Sequence, residues 1–284
     1  MNSLDQNSDP SSNSQLRVAG VQMTSQLDFT GNLDAAAAGI AQAAKAGASL
    51  VVLPENFATL GTGKTADIAA QEQGGDGPVS HWAAEQANKH QVWLVAGTVP
   101  TLDPETGKFF ARSKVFSPGG HVIAQYDKIH LFDASVGDAQ GRYAESDHYV
   151  PGTEVVTWTL GDFTIGMSVC YDLRFPELFH QLRQSGADVI VVPSAFTHRT
   201  GQAHWQLLLR ARAVEQGVYM LGVNQCGWHD ARRQTWGHSH LVDPWGECVE
   251  SLASVPAVMV RDVFKRRLEH IRAQLPTYEH HRLV

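Results

Sequence analysis

Cysteine is scarce in this chain. The 284 residues contain three, Cys170, Cys226 and Cys248. The count is odd and no Cys-x-x-Cys spacing occurs, so neither a disulfide framework nor a zinc ribbon is indicated, and a reducing cytoplasm fits best. Long apolar runs are also missing: none approaches the roughly twenty residues that a membrane-spanning helix needs. Positive charge is sparse. Lys and Arg number 22 against 29 Asp and Glu, the formal net charge is −7, and no basic block is longer than Lys265-Arg266-Arg267. Nucleic acid and anionic membrane are therefore poor partners. The stretch Met1–Gln15 is rich in Ser, Asn, Asp and Gln and lacks the basic and apolar regions of a secretory signal, so it reads as a disordered leader.

What remains is ordinary globular material, 43% hydrophobic and 18% charged, long enough for one large core. No linker-like shift in composition follows the leader, so residues 16–284 are expected to form a single domain. Apolar runs with the length and β-branching of strands alternate with helical patterns. Arg17–Gln22, a helix over Leu33–Ala46 and the strand Leu50–Leu53 make a βαβ opening. A helix over Val79–Lys89 and a strand over Val92–Gly97 follow, then a hairpin of Ala111–Phe116 and His121–Gln125 turned by Ser117-Pro118-Gly119-Gly120. Further on come the strand that ends at Cys170, a helix over Glu177–Ser185, the strand Val189–Val192, a helix over Trp205–Gln216 and the strand Tyr219–Val223. A last hairpin pairs His238–Asp243 with Glu247–Leu252. Strands this continuously apolar are buried on both faces, which requires covering helices and an α/β class. Periodicity leaves open whether the strands form two facing sheets or one large one.

Three strand ends carry reactive groups. Phe163–Val169 runs into Cys170, and the polar segment Tyr171-Asp172-Leu173-Arg174-Phe175-Pro176-Glu177 follows at once. Open α/β sheets place their chemistry at such carboxyl ends. Leu50–Leu53 runs into Pro54-Glu55-Asn56, where the proline ends regular pairing and leaves Glu55 just beyond it. Lys128, in Tyr126-Asp127-Lys128-Ile129-His130-Leu131-Phe132-Asp133, follows the middle hairpin among apolar neighbours, which predicts partial desolvation. A thiol, a carboxylate and an ammonium together suit acyl transfer to water. Cys170 would attack a carbonyl, Glu55 would take its proton, and Lys128 with the Tyr171 backbone N–H would hold the oxyanion. Thiol labelling well below the free-thiol pKa of about 8.5 would mark Cys170 as an activated nucleophile. Cys226 and Cys248 read as buried, inert thiols.

These three segments, in this order and spacing, resemble the catalytic segments of the nitrilase superfamily, the carbon–nitrogen hydrolases. The resemblance runs from Leu16 to His280. It implies a four-layer αββα sandwich, a Glu55–Lys128–Cys170 triad, no cofactor, a small-molecule amide as substrate, and a homodimer. It also implies that Glu145 is a second glutamate that positions the lysine and the substrate, since a carboxylate there helps keep the ammonium charged. Pro193-Ser194-Ala195-Phe196-Thr197, Asn224-Gln225-Cys226-Gly227 and Trp236-Gly237-His238-Ser239-His240 look closest to the Nit branch of amidases. Within it they resemble the members that act on deaminated glutathione more than the ω-amidases. Arg174 is then a candidate for a bidentate grip on a substrate carboxylate, and Thr197 for a hydroxyl donor. His198 and Arg199 are bulkier or more charged than the branch leads one to expect beside a pocket. Of the 14 histidines, His238 and His240 share a strand face, but no third ligand accompanies them, and catalytic zinc usually needs three, so no metal is expected.

Overall fold

The structure is a computed structural model that describes residues 14–282. Met1–Asn13 of the leader lie outside the described residues, while Gln15 already belongs to the first strand. In chain order the strands are β1 (Gln15–Gln22), β2 (Leu50–Val52), β3 (Trp93–Val95), β4 (Val99–Leu102), β5 (Phe109–Phe116) and β6 (Val122–Asp127). Then come β7 (Asp133–Ser135), β8 (Arg142–Ala144), β9 (Thr157–Leu160), β10 (Phe163–Met167), β11 (Val189–Ser194) and β12 (Tyr219–Asn224). The last are β13 (Cys226–Trp228), β14 (Gln234–Trp236), β15 (His240–Val242), β16 (Cys248–Ser251) and β17 (Ala257–Phe264). The helices are α1 (Phe29–Lys45), α2 (Thr65–Gln71), α3 (Pro78–His90), α4 (Pro176–Gln184), the short α5 (His198–Thr200), α6 (Gln206–Gln216) and α7 (Lys265–Gln274).

Two sheets settle what periodicity left open. One has the order β17-β1-β2-β3-β5-β4 with β6 on β5, and the other runs β16-β15-β12-β11-β10-β9. They face each other. Alternation in β1 and β2 sorts side chains by layer: Leu16, Val18, Leu50 and Val52 enter the core shared with the second sheet, whereas Ala19, Val21, Val51 and Leu53 enter a core with Ala36 and Ile40 of α1 and Val79 and Ala83 of α3. On the far side, Leu178 and Phe179 of α4 and Leu209 and Ala213 of α6 cover the second sheet. The result is a four-layer αββα sandwich. The sheets approach closely at Gly20, where a Cβ would lie 2.8 Å from Val223 Cγ2, and Trp93 and Trp158 stack across the gap at 5.6 Å. Each fully buried Val, Leu or Ile contributes about 1.5–3 kcal/mol, so this double core carries most of the stability.

Several elements differ from the sequence expectation. The first helix starts at Phe29 rather than Leu33, because Asp28 caps it by accepting from the Thr30 N–H; the polar first turn hid the start. Nothing was assigned beyond Leu252, yet β17 pairs antiparallel with β1 along its full length, Gln15 opposite Phe264 through Gln22 opposite Ala257. It is an edge strand with only Met259 and Val263 fully buried, yet the run Ala257-Val258-Met259-Val260 was a readable strand signal. Cys226 is buried as expected, but Cys248 is exposed. It sits on β16, the edge strand of the second sheet, where three of four residues are exposed.

Candidate active site

The strand ends meet. Leu50–Val52, Phe163–Met167 and Val189–Ser194 each pair in parallel with a neighbour, and Glu55, Cys170 and Ala195 lie just past their carboxyl ends. Lys128 follows directly after β6, which runs in the same direction as β2 because two antiparallel pairings, β3 with β5 and β5 with β6, lie between them. The turn at Glu55 is tight because the chain passes close to Gly97: a Cβ there would stand 2.0 Å from the Pro54 carbonyl oxygen, so only glycine fits. Asn56 and Cys170 both take left-handed backbone angles, φ 54° and 48°. For a cysteine this conformation costs on the order of 1 kcal/mol or more. It presents the thiol on a sharp turn between β10 and the 3-10 segment Cys170–Arg174, a device that exposes a nucleophile at a sheet edge.

The side chains form one buried cluster. Lys128 donates to Glu55 Oε1 at 2.8 Å and to the two Glu145 oxygens at 3.0 and 2.8 Å. Glu55 Oε2 accepts the Ala195 N–H at 2.9 Å, and Glu145 Oε2 accepts the Phe132 N–H at 2.6 Å. Lys128 is 2% exposed and Glu55 3%. Burial opposes the charge on Lys128, but Glu145 and Glu55, with Cys170 behind them, outweigh it and hold the ammonium well above the ordinary lysine range. Burial pushes the Cys170 thiol well up, the Glu55 carboxylate adds to the rise, and Lys128 opposes it. The resting thiol is therefore protonated at neutral pH.

Asp172 ties the two halves of the cluster together. It is fully buried, and it accepts from the Tyr126 hydroxyl at 2.7 Å, the Val169 N–H at 2.8 Å and the His130 N–H at 3.0 Å, with His130 Nδ1 at 2.7 Å. One carboxylate thus fixes the Cys170 turn against the residues two before and two after Lys128. Nothing in the sequence pattern singles out this bridge, because Tyr126 and His130 lie more than 40 positions away. Asp172→Asn presents an amide donor to at least one of these donors and leaves it unsatisfied, at a cost of about 1–3 kcal/mol. The expected outcome is a lower urea midpoint together with a lower kcat; a variant as stable as wild type would remove Asp172 from this role.

A cavity of about 620 Å³ opens onto the cluster, within the range usual for small-molecule sites. Glu55, Lys128, Glu145, Cys170 and Thr197 line it, with Asn56, Phe132, Tyr143, Tyr149, Arg142 and Arg233. Burial, with Glu145 next, pushes the Tyr149 hydroxyl well up, so it is a neutral donor in the cavity wall. Thr197 is buried, and its hydroxyl lies 2.9 Å from that of Thr200 as it caps α5. Tyr171 and Arg174 are not among the lining residues. The Tyr171 ring packs on Phe132 and Phe175, and Arg174 lies over the Tyr171 and Phe196 rings with Nη1 3.2 Å from His204 Nδ1. His198 and Arg199 also sit away from the cavity, the first edge-on to Trp236 and the second donating to the Gly137 carbonyl. His240 Nδ1 lies 2.6 Å from the His238 carbonyl oxygen.

Several supporting residues escaped the sequence. The Ala195 N–H on Glu55 and the Gln225 amide, which donates to the Glu55 carbonyl at 3.2 Å and to Ser25 Oγ at 2.7 Å, are both visible only once β11 and β12 stand side by side. Asn56 had a readable signal, since asparagine after Pro-Glu at a strand end is a residue that tolerates positive φ.

The comparisons with known proteins agree with this geometry. A family model described as carbon-nitrogen hydrolase matches residues 17–269. The chain belongs to that family, and it is a hydrolase of carbon–nitrogen bonds. Among its relatives is a deaminated glutathione amidase of Yersinia enterocolitica, 41% identical, with 84% of this chain and 83% of that protein covered. The omega-amidase NIT2 of Mus musculus is 34% identical over 93% of this chain and 94% of its own. The crystal structure of Saccharomyces cerevisiae Nit3, a member of branch 10 of the nitrilase superfamily, superposes with a TM-score of 0.82 at 32% identity, covering 92% of this chain and 94% of that one.

Proposed function

We propose that this hydrolase is an amidase that works through a thioester on Cys170, and that its substrate is deaminated glutathione. The observation that carries the chemistry is the single Lys128 ammonium held between Glu55 and Glu145 in a cavity that Cys170 also lines. In the first half-reaction the Cys170 sulfur forms a bond to the amide carbon while Glu55 takes the thiol proton. The carbonyl electrons move to oxygen, next to the Lys128 ammonium and the Tyr171 N–H. Collapse breaks the C–N bond, and Glu55 passes its proton to the leaving amine, Cys-Gly. In the second half-reaction Glu55 deprotonates a water, which attacks the thioester; α-ketoglutarate leaves, and the thiol regains its proton from Glu55. Glu145 takes no proton in this scheme. It holds the lysine charged and in place.

The substrate is supported by the relatives named for that activity and by a cavity lined by two arginines, which suits an acid. Residues 16–284 act as one domain in this reading, since β1 and β17 close a single sheet from the two ends of the chain. The enzyme needs no cofactor, because the cluster itself supplies nucleophile, base and cation. We place it in the cytoplasm as a homodimer, with size by light scattering as the check. The test of the substrate is release of α-ketoglutarate from deaminated glutathione and from α-ketoglutaramate in parallel, compared as kcat/KM. Preference for the peptide is the expected result; preference for the small amide would make the chain an ω-amidase instead.

Glu55→Gln separates base from thiol. The carboxylate raises the thiol pKa, so its loss should lower the pH midpoint at which iodoacetamide alkylates Cys170, read by mass spectrometry of its peptide, while turnover is lost. A midpoint that stays or rises would contradict a carboxylate poised on the sulfur.

A further inference from the structure

Arg233 is a cavity-lining cation whose guanidinium has no hydrogen-bond or ion-pair partner among the described residues. It sits on the turn between β13 and β14, and its backbone is fixed: its N–H donates to Asp230 Oδ1 at 2.8 Å and its carbonyl accepts the His229 N–H at 3.0 Å. Its side chain is different. No hydrogen bond or ion pair to it is found among the described residues, and its Nε is buried without an acceptor. The guanidinium lies 6.0 Å from the centre of the Tyr143 ring, on the wall formed by the β7–β8 segment. Its charge is felt at the hydroxyls of Tyr143 and Tyr149, both of which line the cavity.

Of the acids that line the cavity, Asp147 is exposed to solvent and the other two are held. Glu55 and Glu145 are held by Lys128, and Asp230 Oδ1 takes the backbone N–H groups of Arg232 and Arg233. Arg142, the second arginine of the wall, is exposed to solvent, and Arg174 is stacked outside the lining. A half-buried guanidinium with an open donor edge is suited to a carboxylate from the ligand, gripped by two parallel N–H groups. The proposed substrate carries two carboxylates, one on the keto-acid end and one on the glycine. Arg233 lies on the β13–β14 turn and stands over the Tyr143 ring in the cavity wall, whereas Glu55, Lys128 and Cys170 follow β2, β6 and β10.

We infer that Arg233 is the specificity residue that binds the terminal carboxylate of the leaving dipeptide, and so selects peptide-length keto-acid amides over short ones. This rests on the substrate proposed above, and the test keeps the two apart. Wild type and Arg233→Gln are assayed on three substrates: deaminated glutathione, the same compound with its glycine carboxyl amidated, and α-ketoglutaramate, which lacks that end. The expected result is that Arg233→Gln lowers the kcat/KM ratio of deaminated glutathione over α-ketoglutaramate at least about tenfold, mainly through KM. Amidation should lower wild-type kcat/KM by a similar factor and have little further effect in the variant. Arg233→Lys, which keeps the charge but not the fork, should recover part of the ratio and guards against a folding defect in the glutamine variant. A wild type inert on both unmodified substrates would sink the substrate assignment. An active wild type whose ratio is unchanged by Arg233→Gln, or whose two substrates fall equally, would sink the role of Arg233 alone.

Discussion

Cys170→Ala should lower kcat on any amide substrate by about 10⁴-fold or more while leaving the thermal midpoint close to wild type. The loss is large because the sulfur is the atom that would bond to the acyl carbon; without it the remaining cation and N–H groups can only polarise a bound carbonyl. The fold should tolerate the change for a specific reason. Cys170 holds its left-handed turn through backbone contacts around it, chiefly the Val169 N–H on Asp172 and the Asp172 N–H on the Val169 carbonyl, and none of these uses the sulfur. Alanine keeps the Cβ and removes one buried atom, a change of order 1 kcal/mol. Steady-state assay and a melting curve on the same preparation decide it. Substantial turnover by the alanine variant would rule out the thioester route.

Lys128→Met should be both inactive and unstable. The lysine holds two buried carboxylates at hydrogen-bonding distance, and removing one member of a buried ion cluster costs about 3–5 kcal/mol, since the charges left behind have lost their counterion. The folded-state pKa of Lys128 is raised above the unfolded value of about 10.4. Its stabilisation is therefore fully present at neutral pH and is lost only as pH climbs from the unfolded value through the folded one. Adding Glu145→Gln to Lys128→Met removes one of the two facing charges, so the double variant should regain part of the stability. It should regain no activity if Lys128 is the oxyanion cation proposed above, since losing a single stabilising donor lowers the rate about 10²–10³-fold. Chemical denaturation of the single and double variants gives the comparison. A double variant less stable than Lys128→Met would show that Glu145 is not held in place by the lysine.

Much of the fold was legible because burial leaves period-two and continuous apolar signatures. Val189–Val192 and Tyr219–Val223 read as interior strands, and the slightly longer β11 and β12 that contain them are buried throughout. The strand ends at Glu55 and Cys170 were legible for the same reason, since an apolar run that stops at a proline or a polar segment marks where the sheet stops. Weakly apolar pieces were not. The helix α7 carries charges along most of its length and buries only Leu268 and Ile271, so its apolar face is narrow. Cys248 looked like any other thiol in sequence, and only its position on an unpaired edge exposes it.

The chain's own residues determined the class, the alternation of strands and helices, and the three strand-end groups that could meet, because hydrophobic period and turn chemistry are local properties. The tertiary structure alone decided that the strands form two facing sheets, that Asp172 reaches both the Cys170 turn and the lysine's segment, and that Arg174 stacks on Tyr171 and Phe196 while Arg233 lines the cavity. Each of these depends on which distant segments pack together, and on where a long, flexible guanidinium finds a surface or an open space, which no spacing along the chain encodes.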